Sequence, residues 1–259
     1  MMNRRAILAA PGLLAGEMGA AHADGLGPAW VELRNYETQP GQRDTLIAMF
    51  EAHFLDVYQA AGAAIVGTFR NLDDPNRWVW LRQFPSNATR ATALSGFYGS
   101  ARWQKLRGPA KATIRDVSDA LLLVGPQGQP IRAEAPPAGE PVPASIFECA
   151  RYFPKSTAAS EHVLSLLKAL PAQRLDATRA APFTLTSYMG ANAYPRQHLR
   201  PDLAIVVLEL FADTDAAAVA VEARAASRNW RAQEAEIGRL LAAPVERLRL
   251  QPTSRSGLR

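Results

Sequence analysis

The sequence predicts an α+β protein built from two tandem βαββαβ units, and three observations carry that prediction. Short alternating or β-branched runs take turns with longer stretches whose apolar residues recur at helical spacing. A segment with six prolines between Gly125 and Pro143 interrupts this pattern, which then restarts. The second part also repeats residues of the first. Glu32 and Tyr36 align with Glu148 and Tyr152, Phe84 with Phe211, and Trp103 with Trp230. Asp119, Leu121 and Leu123 align with Glu246, Leu248 and Leu250. The offset is 116 residues from Glu32 to Glu148 and 127 from Phe84 to Phe211, as a copy with longer internal connections requires.

The chain of 259 residues is long enough for two domains of about 100 residues each. Residues 1–23 have the layout of an export signal. Asn3-Arg4-Arg5 is a positive start, residues 6–15 are mostly apolar, and Ala21-His22-Ala23 is a small-x-small cleavage pattern. The paired arginines before Ala6-Ile7-Leu8 fit a twin-arginine signal, so the expected location is periplasmic or secreted. If the segment is only a tail, the location is cytoplasmic. No later stretch has 18 uninterrupted apolar residues, so no integral membrane segment is expected.

The first unit spans 29–125. Residues 30–36 read as a strand that ends at the Gln39-Pro40-Gly41 turn. Residues 42–61 lack internal proline and glycine, place Leu46, Met49, Phe50, Phe54 and Val57 at helical spacing, and stop at Gly62. Strands follow at 64–70 and 78–84, separated by the Asp73-Asp74-Pro75 turn. Residues 87–108 read as helical with a break near Gly96 or Gly99, and 117–124 as the last strand. This is the ferredoxin-like order. Residues 126–144 form a proline-rich linker that contributes no core element. The second unit spans 145–251, with strands at 146–152, 183–188, 203–211 and 245–250 and helices at 158–170 and 216–241. Residues 252–259 read as a frayed tail.

Composition and motifs exclude more than they select. A hydrophobic share of 48% with 20% charged residues is that of a globular chain. A net charge of +5 without a dense basic stripe gives no nucleic-acid partner. The lone Cys149 lies in an apolar run and reads as a core residue. The four histidines are scattered without metal-ligand spacing, so no metal is expected. No phosphate loop, dinucleotide fingerprint or nucleophile elbow is present, so no cofactor is expected and nucleophilic catalysis has no support.

The candidate site comes from strand alternation. Trp30, Glu32, Arg34 and Tyr36 share one face, as do Trp78, Trp80, Arg82 and Phe84. Val31, Leu33, Val79 and Leu81 take the other face and are expected beneath the helices. The amphipathic set is then expected between two stacked sheets, where a buried Glu32 requires a partner such as Arg34 or Arg82. Ligand-binding candidates are Glu32, Arg34, Tyr36, Phe69, Trp78, Trp80 and Arg82. Secondary candidates are His53, Tyr98, Glu148, Tyr152 and His198. An ion pair that merely fixes the interface, a pocket for a small polar or acidic ligand, and acid–base chemistry all stay open.

The residues also resemble a known family. The run 30–36 (WVELRNY), the Thr38-to-Gly41 turn, Val66-Gly67-Thr68-Phe69, the run 78–82 (WVWLR) and Trp103 with Pro109 are similar to the NIPSNAP family. The second unit carries a diverged version, Glu148-Cys149-Ala150-Arg151-Tyr152 followed by Phe153-Pro154-Lys155. The resemblance implies an intrachain dimeric α/β barrel, similar to antibiotic-biosynthesis-type monooxygenases that act without metal or flavin. The expected function is binding of a small molecule or a protein partner. The alternatives are a cofactor-independent monooxygenase or heme-handling enzyme using the inter-sheet cleft, or an assembly subunit. Self-assembly of whole chains stays open.

Overall fold

A computed structural model describes residues 29–125, 131–169 and 182–259. The export-type segment 1–23 lies outside them. The first half runs β1 (Trp30–Thr38), α1 (Arg43–His53), α2 (Leu55–Ala60), β2 (Ala64–Asn71), β3 (Arg77–Phe84), α3 (Asn87–Gly99), α4 (Ala101–Ala112), β4 (Ile114–Asp116) and β5 (Ala120–Val124). The second half runs β6 (Ile146–Tyr152), α5 (Thr157–Ala169), β7 (Phe183–Ser187), β8 (Ile205–Phe211), α6 (Thr214–Ala226), α7 (Arg228–Leu240) and β9 (Glu246–Pro252).

Local chemistry sets the boundaries. Gly41 takes φ 73°, open to glycine, and its N–H donates to Asn76 Oδ1 at 3.1 Å, which closes the turn after β1. The long helical run 42–61 is broken once, at Phe54, and Gly62 ends it at φ 90°. The run 87–108 breaks at Ser100 and continues to Ala112. Ser100 leaves the helix with an extended backbone, and its Oγ accepts the Trp103 N–H at 3.2 Å. Ser227 does the same for Trp230 at 3.2 Å, so the repeated tryptophans each sit just inside a serine-capped helix. The last strand of the first half starts later than expected, at Ala120.

The two halves join edge to edge. In the first half the strand order is β5-β1-β3-β2, and in the second it is β7-β8-β6-β9. β2 pairs with β9 and β5 with β7, all antiparallel, which closes eight strands into a barrel. β4 adds only at the end of β1. Closure removes the free sheet edges that two stacked sheets would leave.

The expected assignment of faces is reversed. Val31, Leu33, Val79 and Leu81 point into the barrel, where they meet Phe147, Cys149, Val206, Leu208 and Leu250 of the second half. Tyr36, Trp78, Trp80 and Phe84 lie outside the barrel, under a helical layer of Leu46, Phe50, Phe54, Tyr58, Leu94 and Phe97. An eight-stranded barrel is just wide enough for side chains to fill, and here mostly aliphatic ones fill it together with Phe69, Phe147 and Phe153. The wider rings take the sheet–helix layer, where Tyr58 and Phe97 stack at 3.7 Å and Trp78 and Trp80 at 5.3 Å.

Two further expectations are corrected. The linker contributes to the core through Ile131, whose N–H donates to Gln83 Oε1 at 2.7 Å. The tail is not frayed. It prolongs β9 along β2, with Leu258 N–H on Val66 O at 2.8 Å and Thr68 N–H on Ser256 Oγ at 3.1 Å. Leu258 is buried in the barrel core, and Glu51 of α1 accepts from Thr253 and Ser254. Polar backbone of β2 that would otherwise lie unpaired is satisfied this way.

Candidate functional site

Antiparallel pairing of β1 and β3 places Glu32 opposite Arg82, Arg34 opposite Trp80, and Tyr36 opposite Trp78. All six point toward the helices. Glu32 is fully buried and is surrounded by guanidiniums. Arg34 Nη1 donates to it at 3.1 Å, and Arg82 donates through Nε at 2.9 Å and Nη2 at 2.5 Å. Arg90, from the first turn of α3, donates through Nε to the other carboxylate oxygen. Tyrosines extend the cluster, with Tyr36 Oη accepting from Arg34 at 3.0 Å and Tyr58 Oη from Arg82 at 3.0 Å.

The second half closes the site. The connection between β7 and β8 brings Gln197 Oε1 to Arg82 Nη2 at 2.5 Å and Asn192 Oδ1 to Arg90 Nη1 at 2.9 Å. Gln197 Nε2 reaches Tyr98 Oη at 3.3 Å. Tyr194 of the same loop lies parallel to Tyr98, with ring centroids 6.1 Å apart.

The charge does not balance inside this layer. Three buried guanidiniums face one carboxylate among the described residues, so two positive charges are left over there. Among the described residues, Arg90 Nη2 and the indole N–H groups of Trp78 and Trp80 are buried without an acceptor. Burial alone would push the Glu32 carboxyl up, but Arg82, Arg34 and Arg90 together outweigh it and hold it down at about 2. Burial pushes the phenols of Tyr36 and Tyr58 up, which keeps them neutral donors near neutral pH. A carboxylate held that low is a poor general base. The layer is equipped to hold an anion, and not to move a proton.

Among the described residues, the second half has no such excess. Glu148 pairs across the sheet with Glu209, where Glu32 meets Arg82. Arg224 bridges Glu148 and Glu209, and Arg247 bridges Glu148 and Glu234. Carboxylates match or exceed guanidiniums there, as in a structural network. Tyr152 packs among Val163, Ile205 and Ile237.

The other sequence candidates scatter. Phe69 faces the barrel, edge-on to Phe147 at 5.4 Å, and is separated by the sheet from Tyr36, Trp78 and Trp80. Gly67 leaves room for that ring, since a Cβ there would come within 2.6 Å of it. His53 is half-buried on α1, and His198 is exposed on the loop. Sequence reasoning missed Arg90, Tyr58, Asn192 and Gln197. Arg90 recurs with Leu94 and Phe97 at helical spacing, and Tyr58 with Phe50 and Phe54, so both carried a readable signal. Asn192 and Gln197 carried none, because they reach the site from the other half.

Cys149 is buried in the barrel, and burial raises its thiol to about 12, so it is an inert core group. None of the described helices is long and apolar enough to cross a membrane.

Comparison with known proteins agrees with this architecture. An anthrone oxidase-like protein superposes with a TM-score of 0.59 at 12% identity, covering 90% of this chain and 95% of that one. A candidate monooxygenase from Fusobacterium nucleatum gives 0.57 at 9% identity, covering 87% and 93%. A candidate chlorite dismutase gives 0.50 at 9% identity, covering 88% and 96%. At these identities the likeness is one of fold, and it extends over both halves. No curated protein matches the sequence. The NIPSNAP family model matches residues 31–126, which hold nearly all of β1 to β5 together with Glu32 and its three ion-pair partners, Arg34, Arg82 and Arg90. The likeness to the NIPSNAP family is therefore carried by the first half of the chain, over residues 31–126.

Proposed function

We propose that the protein binds a small organic anion in the sheet–helix layer of its first half. The observation that supports this reading is the pair of uncompensated positive charges around Glu32. An unpaired charge away from water is unfavourable by several kcal/mol, so a layer built this way gains from an anion. Neutral Tyr36 and Tyr58 and the indoles of Trp78 and Trp80 supply further donors and an aromatic wall. The two βαββαβ halves are read as tandem copies, of which the second kept the frame and exchanged the arginines for a balanced network. Export to the periplasm or beyond belongs to the same reading and rests on residues 1–23.

The oxygenase alternative draws on the fold it shares with the monooxygenase-like structures, an analogy of fold alone. Its inter-sheet cleft is filled by Val31, Leu33, Val79, Leu81 and Phe147, so it would have to use the sheet–helix layer instead.

The test is native mass spectrometry of the protein purified from its own host, with thermal melting across a panel of organic anions. A bound anion, or saturable stabilisation that Arg90→Met weakens at least tenfold, is the expected result. A bare chain that no anion stabilises would sink the proposal.

A further inference from the structure

We infer that Gln197 holds the place of a ligand carboxylate, and that the anion taken by this site is a small planar carboxylate. The inference rests on the reading of the arginine cluster as an anion site. Gln197 belongs to the second half, yet its side chain is buried in the charged layer of the first. Its amide oxygen lies 2.5 Å from Arg82 Nη2, and its amide nitrogen meets Tyr98 Oη at 3.3 Å. The amide oxygen is an acceptor facing a cation, and the amide nitrogen is a donor facing a hydroxyl.

An amide and a carboxylate have the same planar shape, but the carboxylate accepts at both oxygens and carries the charge the layer lacks. With a carboxylate in that plane, one oxygen takes the Arg82 N–H and the other takes the Tyr98 O–H, which now donates. Arg90, whose Nη2 is buried without an acceptor among the described residues, lies on the same side of Glu32 as this loop, since Asn192 already meets its Nη1 at 2.9 Å. A two-point planar slot suits a carboxylate better than a tetrahedral oxyanion. Tyr194 lies parallel to Tyr98 on the same loop as Gln197, so a ligand that takes the place of Gln197 would have the Tyr98 ring face beside its planar body.

Two variants test this by melting temperature in benzoate, phosphate or benzyl alcohol at matched ionic strength. Gln197→Glu ties the carboxylate to the chain. It should melt on the order of 2–4 °C above the unmodified protein and lose its response to benzoate. Gln197→Ala empties the slot. It should melt lower and be restored saturably by benzoate, but not by phosphate or benzyl alcohol. A Gln197→Glu variant that melts below the parent overturns the inference, even if Gln197→Ala fails to fold. Phosphate restoring Gln197→Ala in place of benzoate also overturns it, while leaving the anion site standing. If no anion stabilises the parent or either variant, both the inference and the anion site fall together.

Discussion

Glu32 carries the folding energetics of the cluster and sets its pH dependence. Its carboxyl moves from an ordinary 4.5 to about 2 on folding. A depressed carboxyl stabilises the fold above its unfolded value and loses that contribution as pH falls through the folded one. The window is therefore pH 4.5 down to about 2, and the contribution is about 3 kcal/mol. Glu32→Gln should destabilise the protein at pH 7 by about 3–5 kcal/mol, because three guanidiniums lose the carboxylate they share. Urea unfolding at pH 7 and pH 3 checks both parts, since the variant should also lose steepness in that acid range. Equal stability of variant and parent at pH 7 would mean that the cluster is satisfied without Glu32. Cys149 gives an independent check of burial. Native protein should not react with a thiol reagent at pH 8, and denatured protein should show one reactive thiol. At this scale the sequence was partly legible. Period-two alternation put Glu32, Arg34, Trp80 and Arg82 on one surface, but alternation says which residues share a face and not what lies opposite it. That is why the site was expected inside the barrel and lies outside it.

Helix and strand boundaries followed from short-range chemistry, so they were legible where a local signal exists. The serine caps before Trp103 and Trp230, three residues ahead of each ring, were a local signal left unread, since the first break was expected near Gly96 or Gly99 and the run 216–241 was expected as one helix; they mark where one long helical run becomes two. Ser100→Ala and Ser227→Ala should each lower stability by about 1 kcal/mol, measured by thermal or urea unfolding. No loss at either position would mean that packing alone sets the helix break. The linker and the tail were illegible for the opposite reason. Ile131 finds Gln83 at a separation of 48 residues, and Leu258 finds Val66 across most of the chain, and no pattern within either segment records those partners. The tail makes a sharp test because it is short. Leu258→Ala removes a buried side chain from the barrel core and should lower stability by about 2–4 kcal/mol, where a frayed end would change nothing.

The whole molecule is held by closure. Each half supplies part of one wall, and the seams at β2–β9 and β5–β7 leave neither half with a free edge. Asp119 ties the halves at one end, where Arg151 donates to both of its oxygens at 2.9 Å and Arg200 joins at 3.0 Å. The barrel core draws on both halves, so residues 29–125 alone would expose Val31, Leu33, Val79, Leu81, Leu121 and Leu123 as one apolar sheet face. A face of that kind does not stay in water. Expressed alone, this segment should self-associate, with β2 of one copy against β5 of the next, and light scattering after gel filtration should report a dimer or larger. Co-expressed with residues 131–259, it should form a one-to-one complex instead. The mixed pair closes the same barrel, and only the second half brings Asn192 and Gln197 to the arginines. A first half that stays soluble and monomeric would show that barrel closure is not what covers that face. Homodimers that persist beside the second half would show that the contacts to Arg82 and Arg90 do not choose the partner.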